Sequence, residues 1–284
     1  MFKTALVGID LSPTEKPLIG SLPELRRWGI GAIVLAHVIR LGYIEGAGLG
    51  HEDWYRTWLE ERAAPLREAG FEVATSVSAS GVPAEELLAV ARNHKVDLLV
   101  VGSRSHSVLH DLFLGSVTRD LIHKSDIPVL IERIEPTEAG TAEACAAVRD
   151  VKQDRILLAT DFSGHARSAE YVAIRLASQV PEIDCLTVLP TETSEEANAE
   201  RNAAASKLHG LIARIDARGG KGSARIEQGD PADVIARIGQ EGYSLIIVGK
   251  HGRNWIVDRI IGSTAARVCE IGKRPVLMVP LQEE

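Results

Sequence analysis

The 284-residue chain is 45% hydrophobic and 25% charged, with a formal net charge of −7. That balance is ordinary for a globular protein and gives no support to a nucleic-acid partner or a polyanionic membrane surface. No apolar run approaches the ~20 residues of a membrane-spanning helix, and the start reaches Asp10 too soon for a signal-peptide core. Cys145, Cys185 and Cys269 are far apart and odd in number, so they form no metal-ligand spacing and read as reduced, cytoplasmic thiols. At about 150 residues per domain, the length suggests two domains.

Taken in chain order, the first half reads as strands near 4–10, 32–38, 71–77, 97–102 and 128–133. Between them lie helical patterns near 15–28, 52–69, 83–94 and 115–124. Pro83 sits where a first helical turn accepts proline. Trp54 and Trp58, four apart on one helical face, are expected to pack against the sheet. A glycine-rich stretch, 42–50, reads as a solvated loop. Residues 135–152 read as a linker, with 139–148 either a short helix or loose chain. The second half repeats the pattern, with strands near 155–160, 183–189, 222–227, 244–249 and 275–280. Its helices fall near 164–179, 195–217, 231–241 and 262–271. Strands alternating with helices imply an α/β fold, here two tandem doubly wound five-stranded parallel sheets. The domain limits so read are 1–134 and 153–284.

The two halves are duplicates. Gly102 and Gly249, Gly115 and Gly262, and Pro128 and Pro275 are each 147 residues apart, without a gap. Upstream, Gly81-Val82-Pro83-Ala84 matches Gly229-Asp230-Pro231-Ala232, and Asp10 stands opposite Asp161.

The most informative stretch is Gly249-Lys250-His251-Gly252-Arg253, followed after the nine residues 253–261 by Gly262-Ser263-Thr264. Two glycines follow a buried strand, and a Gly-Ser opens the next helix. Glycine admits positive φ and close approach by a ligand, and the open amides of a helix start favour an anion. Ligands of open α/β sheets lie beyond the carboxyl ends of strands. The stretch therefore reads as a phosphate cradle, or as a tight strand-to-helix connection.

These residues resemble the universal stress protein family in its tandem, two-domain form, and the resemblance covers nearly the whole chain. It implies an adenine nucleotide α-hydrolase-like fold and binding of ATP, ADP or AMP. Carried over, Asp161 contacts the adenine end and Val188 flanks the base. Gly249, His251, Gly252, Arg253, Gly262, Ser263 and Thr264 line ribose and phosphates. Magnesium on the phosphates, weak ATP hydrolysis, and pairing both within the chain and between chains are compatible with the resemblance. The first half departs from the pattern, because Ser105 stands where Gly252 stands in the second. If that position needs left-handed φ, serine costs roughly 1–2 kcal/mol, which weakens binding by about tenfold or more. The second half is thus expected to be the better nucleotide site, acting in stress response through protein partners. The alternatives are a scaffold without nucleotide and a slow ATPase. A dinucleotide glycine loop after the first strand and a phosphate-loop motif are both lacking. Of the scattered histidines, His106 and His110 are four apart without a third ligand, and only His251 lies inside the cradle.

Overall fold

The computed structural model describes residues 2–40, 52–103, 114–136, 145–148, 155–191, 195–252 and 261–282. The glycine loop 42–50, His106, His110, Arg253, most of the linker and Trp255 lie outside them. Contacts divide the chain into two units. Unit one comprises Met1–Leu121 and Ile127–Ala147, and unit two comprises Ile122–Asp126 and Val148–Glu284.

In unit one the elements run β1 (Thr4–Gly8), α1 (Glu15–Ser21), a 3-10 turn (Leu22–Trp28), β2 (Ala32–Arg40), α2 (Glu52–Glu68), β3 (Glu72–Ser80), α3 (Pro83–Asn93), β4 (Leu98–Gly102), α4 (Ser116–Lys124, of which the residues from Ile122 on are counted with unit two) and β5 (Val129–Glu132). The sheet order is β5-β4-β1-β2-β3, parallel throughout. The interior strands β1 and β4 are apolar on both faces, the pattern of a sheet covered on each side. Leu6, Leu98, Leu99 and Val100 are fully buried at its centre.

The helix expected over 15–28 is instead a short α-helix passing into a 3-10 turn. Pro23 has no N–H to give to the carbonyl of Ile19, so the ladder cannot continue in α form. The turn ends at Gly29, whose φ of 91° closes it through a bond to Arg26 O. The linker also differs. Residues Ile134–Pro136 (β6) and Cys145–Ala147 (β7) pair antiparallel, so 145–147 is neither helix nor loose chain. Trp58 is buried as expected, but Trp54 is 51% exposed and lies flat against Trp58, with centroids 6.4 Å apart.

Unit two carries β8 (Arg155–Ala159), a 3-10 turn (Gly164–Ala166), α5 (Arg167–Leu176), β9 (Glu182–Leu189), α6 (Glu195–Asp216), β10 (Lys221–Gln228), α7 (Pro231–Gly239), β11 (Leu245–Gly249), α8 (Ser263–Ile271) and β12 (Val276–Val279). Its order, β10-β9-β8-β11-β12, repeats that of unit one. Helix starts follow the sequence signals. Asp230 caps α7 by accepting from Asp233 N at 3.1 Å, with Pro231 at the first helical position. Ser163 accepts from Ala166 N at 3.2 Å and starts the turn that leads into α5.

At the N-terminal ends of these strands lies a polar knot. Asp184, buried within β9, accepts hydrogen bonds from Arg155, from the Tyr243 hydroxyl and, at 2.5 Å, from Ser223 Oγ. The Arg155 guanidinium covers the Tyr243 ring 4.6 Å from its centroid. Burial, then the Asp184 carboxylate, pushes the Tyr243 hydroxyl up to about 12. Beside it, burial pushes the Cys185 thiol up to about 12 and keeps it inert.

Candidate functional site

The strand order reverses direction at β8, since β9 and β10 lie on one side and β11 and β12 on the other. Connections from β8 and β11 therefore leave in opposite directions and open a crevice beyond their carboxyl ends. In unit two that crevice is a cavity of about 710 Å³. This lies within the roughly 300–1,000 Å³ usual for small-molecule sites.

One wall is apolar: Val188 and Leu186 from β9, Ile235 from α7, and Val248 from β11. The floor is the turn after β8. Thr160 donates to Glu170 Oε1 at 2.6 Å and accepts from Phe162 N at 3.0 Å. Thr187 Oγ1 in turn donates to Thr160 O at 3.0 Å. Asp161 Oδ1 accepts from Ser163 N at 2.9 Å. These bonds hold Phe162 at φ 57°, a left-handed backbone that a bulky residue seldom adopts. Burial raises the pKa of Glu170, against the lowering effect of Thr160.

The opposite side is the glycine turn. Gly262 N donates to Lys250 O at 2.8 Å, which fixes the start of α8 against the end of β11. The N-cap of α8 is Gly262, which has no side chain to cap it. The amides of its first turn, at Ser263, Thr264 and Ala265, therefore face the cavity those residues line. An anion placed there gains about 0.3–1 kcal/mol from the helix end.

Asp161, Val188, Gly249, His251, Gly252, Gly262, Ser263 and Thr264 all line this one cavity, although they come from four separate stretches of chain. Arg253 falls outside the described residues. His165, which the sequence left unplaced, comes within 5.9 Å of His251, edge to face. Lys250 also lines the cavity, but its ammonium turns into the same unit and donates to the carbonyls of His123 and Ser125 at 2.7 and 2.8 Å. Burial lowers its pKa.

The reason for the glycines differs from the one expected. Gly249, Gly252 and Gly262 do not adopt positive φ, so the left-handed penalty set against Ser105 has no counterpart at Gly252. What Gly252 supplies is space. A Cβ there would lie 2.9 Å from Asp161 Oδ2. The aspartate after the first strand and the second glycine of the turn are thus one device: the missing side chain is where the carboxylate stands. At Gly249 and Gly262 the neighbours are main-chain carbonyls, each 3.3 Å from the Cβ position. The sequence reading also missed Gly229-Asp230-Pro231, which close the rim. Gly229 does need its missing side chain for conformation, at φ 133°. Its signal was the duplicated Gly-x-Pro-Ala, which was read as repeat rather than site.

Comparison with known proteins accords with this frame. The model of the universal stress protein family matches residues 1–133 and again 153–280. The chain belongs to the universal stress protein family, as a tandem of two such domains. It is 36% identical over 154 residues to universal stress protein MJ0577 of Methanocaldococcus jannaschii, covering 46% of this chain and 94% of that one. It is 41% identical over 148 residues to universal stress protein YxiE of Bacillus subtilis, covering 47% of this chain and all of that one. A universal stress protein crystal structure from Archaeoglobus fulgidus shares the fold at a TM-score of 0.71. Its identity is 22%, and the match covers 99% of this chain and 97% of that one.

Proposed function

We propose that unit two binds an adenine nucleotide, ATP, ADP or AMP, and that occupancy is read by protein partners in stress response or signalling. The supporting observation is the cavity itself. It joins an apolar slot at Val188, a carboxylate at Asp161 and a glycine-started helix at Ser263-Thr264 within one space of about 710 Å³. A purine fits the apolar wall, with its donor edge toward Asp161. Phosphates fit the opposite side, where Gly249, Gly252 and Gly262 keep the main chain bare and the first turn of α8 offers N–H donors. His251 lines the same cavity and belongs to that set, and Arg253, which follows Gly252 in the sequence, is assigned to it as well. Magnesium would arrive on the phosphates. The molecule is then a binding protein first, with hydrolysis of ATP a secondary property. Its buried cysteines Cys185 and Cys269 suit a cytoplasmic setting. No helix among the described residues is long and apolar enough to cross a membrane.

Titration calorimetry of the full chain with ATP tests the reading. The expected result is saturable micromolar binding, about −8 kcal/mol, with heat that weakens in rising phosphate. No heat at millimolar ATP, and no rise in melting temperature, would remove the proposal.

A further inference from the structure

Unit one has its own cavity, about 520 Å³, at the matching reversal of strand order beyond β1 and β4. Its chemistry is different. We infer that this cavity takes an amino-substituted heterocycle without phosphate, a nucleoside or free base, held by acceptor groups on His37 and Asp10. The exclusion of phosphate rests on the reading given for unit two, whereas the two acceptors are observed in unit one itself.

The strand registers make the comparison direct. Gly8 pairs with Ala36, and Ala159 pairs with Leu186, so His37 occupies the place of Thr187. The tether is kept: His37 Nδ1 lies 2.9 Å from Ile9 O, as Thr187 Oγ1 lies 3.0 Å from Thr160 O. A carbonyl only accepts, so Nδ1 carries the proton. Burial lowers the pKa of the ring and keeps it neutral, and a neutral ring protonated on Nδ1 presents Nε2 as an acceptor. Nδ1 makes the ring's one hydrogen bond among the described residues, and His37 lines the cavity at 8% exposure. Tyr55 stacks on the ring at 4.9 Å and Trp58 meets it edge-on at 5.2 Å, so the acceptor is fixed in place. Asp10 gives one oxygen to Ser12 N at 3.2 Å. Its other oxygen is a second acceptor on the same cavity. An exocyclic amine carries two hydrogens and suits two acceptors.

The side that corresponds to the glycine turn of unit two is lined by different chemistry. Ala166 in unit two lies beside the glycine turn, its Cα 3.4 Å from the Cβ position of Gly249. Counting from the paired aspartates, Glu15 stands where Ala166 stands, and it lines the unit-one cavity, as Gly102 does. It is buried and ion-paired with Arg62. A carboxylate thus replaces a methyl where a phosphate would approach. Val117 replaces the hydroxyl of Thr264 in the first helical turn. No lysine or arginine is among the described residues lining this cavity. An anionic tail is disfavoured there, while a neutral donor is not.

The test uses the full chain with ¹⁵N-histidine and long-range proton–nitrogen correlation, assigned by His37→Thr. Adenosine, cytidine, guanosine and ATP are titrated separately. At least one nucleoside should move the His37 Nε2 resonance saturably, with at least tenfold preference over ATP. His37→Thr keeps a donor for Ile9 O, as Thr187 does for Thr160 O. It should therefore melt within a few degrees of wild type and lose nucleoside binding at unit one. ATP moving His37 as readily as the nucleosides would overturn the inference. So would a resonance unmoved by all three nucleosides at millimolar concentration, or undiminished nucleoside binding by His37→Thr. Calorimetric ATP binding at unit two is read separately, so failure of either proposal is distinguishable.

Discussion

Gly252→Val should abolish ATP binding by unit two without unfolding it. The position does not use left-handed backbone, so valine meets no left-handed penalty there. The obstacle is the Asp161 carboxylate, 2.9 Å from the new Cβ and itself held by Ser163 N. Either Asp161 swings away, losing its place at the base, or the turn moves off the start of α8 and the phosphate side opens. Both routes remove a contact that the proposed nucleotide would use. We expect at least a hundredfold weaker Kd by calorimetry, about 2.7 kcal/mol, with the circular-dichroism melt shifted by only a few degrees. Equal affinity in the variant would show that the carboxylate–glycine contact does not shape the site.

Asp184→Ala should cost about 3 kcal/mol of stability. The substitution removes the shared acceptor of Arg155, Ser223 and the Tyr243 hydroxyl. Tyr243 is 1% exposed, so its hydroxyl is left without water as a substitute. Arg155 is more than a third exposed at its side chain and can rehydrate, which moderates the loss. For a unit of this size about 3 kcal/mol lowers Tm by roughly 6–12 °C. Asp184→Asn, which retains one acceptor, should lose less. Differential scanning calorimetry decides, and an unchanged transition for the alanine variant would mean that the knot contributes little. The knot lies at the opposite ends of the strands from the cavity, so ATP affinity should stay within about twofold of wild type where the protein is folded.

Much of the fold was legible because its signals are local. Interior strands such as Leu98–Gly102 and Leu245–Gly249 are apolar runs on both faces, and Pro83, Asp230 and Pro231 mark helix starts by their own chemistry. The repeat placed the site, since an ungapped offset carries the glycine turn and the helix start together. What escaped was set by distance in space. Pro23 is the exception, a local signal that stops the α ladder through its missing N–H. The pairing of Ile134–Pro136 with Cys145–Ala147 has no periodic signal, because three-residue strands are too short to show one. Trp54 shares a helical face with Trp58 but sits beyond the edge of what that face covers. The cause of Gly252 lies 91 residues upstream at Asp161, and spacing alone suggested conformation instead of room. The exchange of Thr187 for His37 became visible only through strand register.

The central claim is that unit two's cavity is shaped for a purine at Val188 and Asp161 and for phosphates at the start of α8. A crystal structure of the full chain grown with ATP tests it most directly. The account predicts the base against Val188 and the phosphates on the amides at Gly252 and Ser263-Thr264. A cavity without nucleotide at saturating ATP, or phosphates seated away from the α8 start, would contradict it.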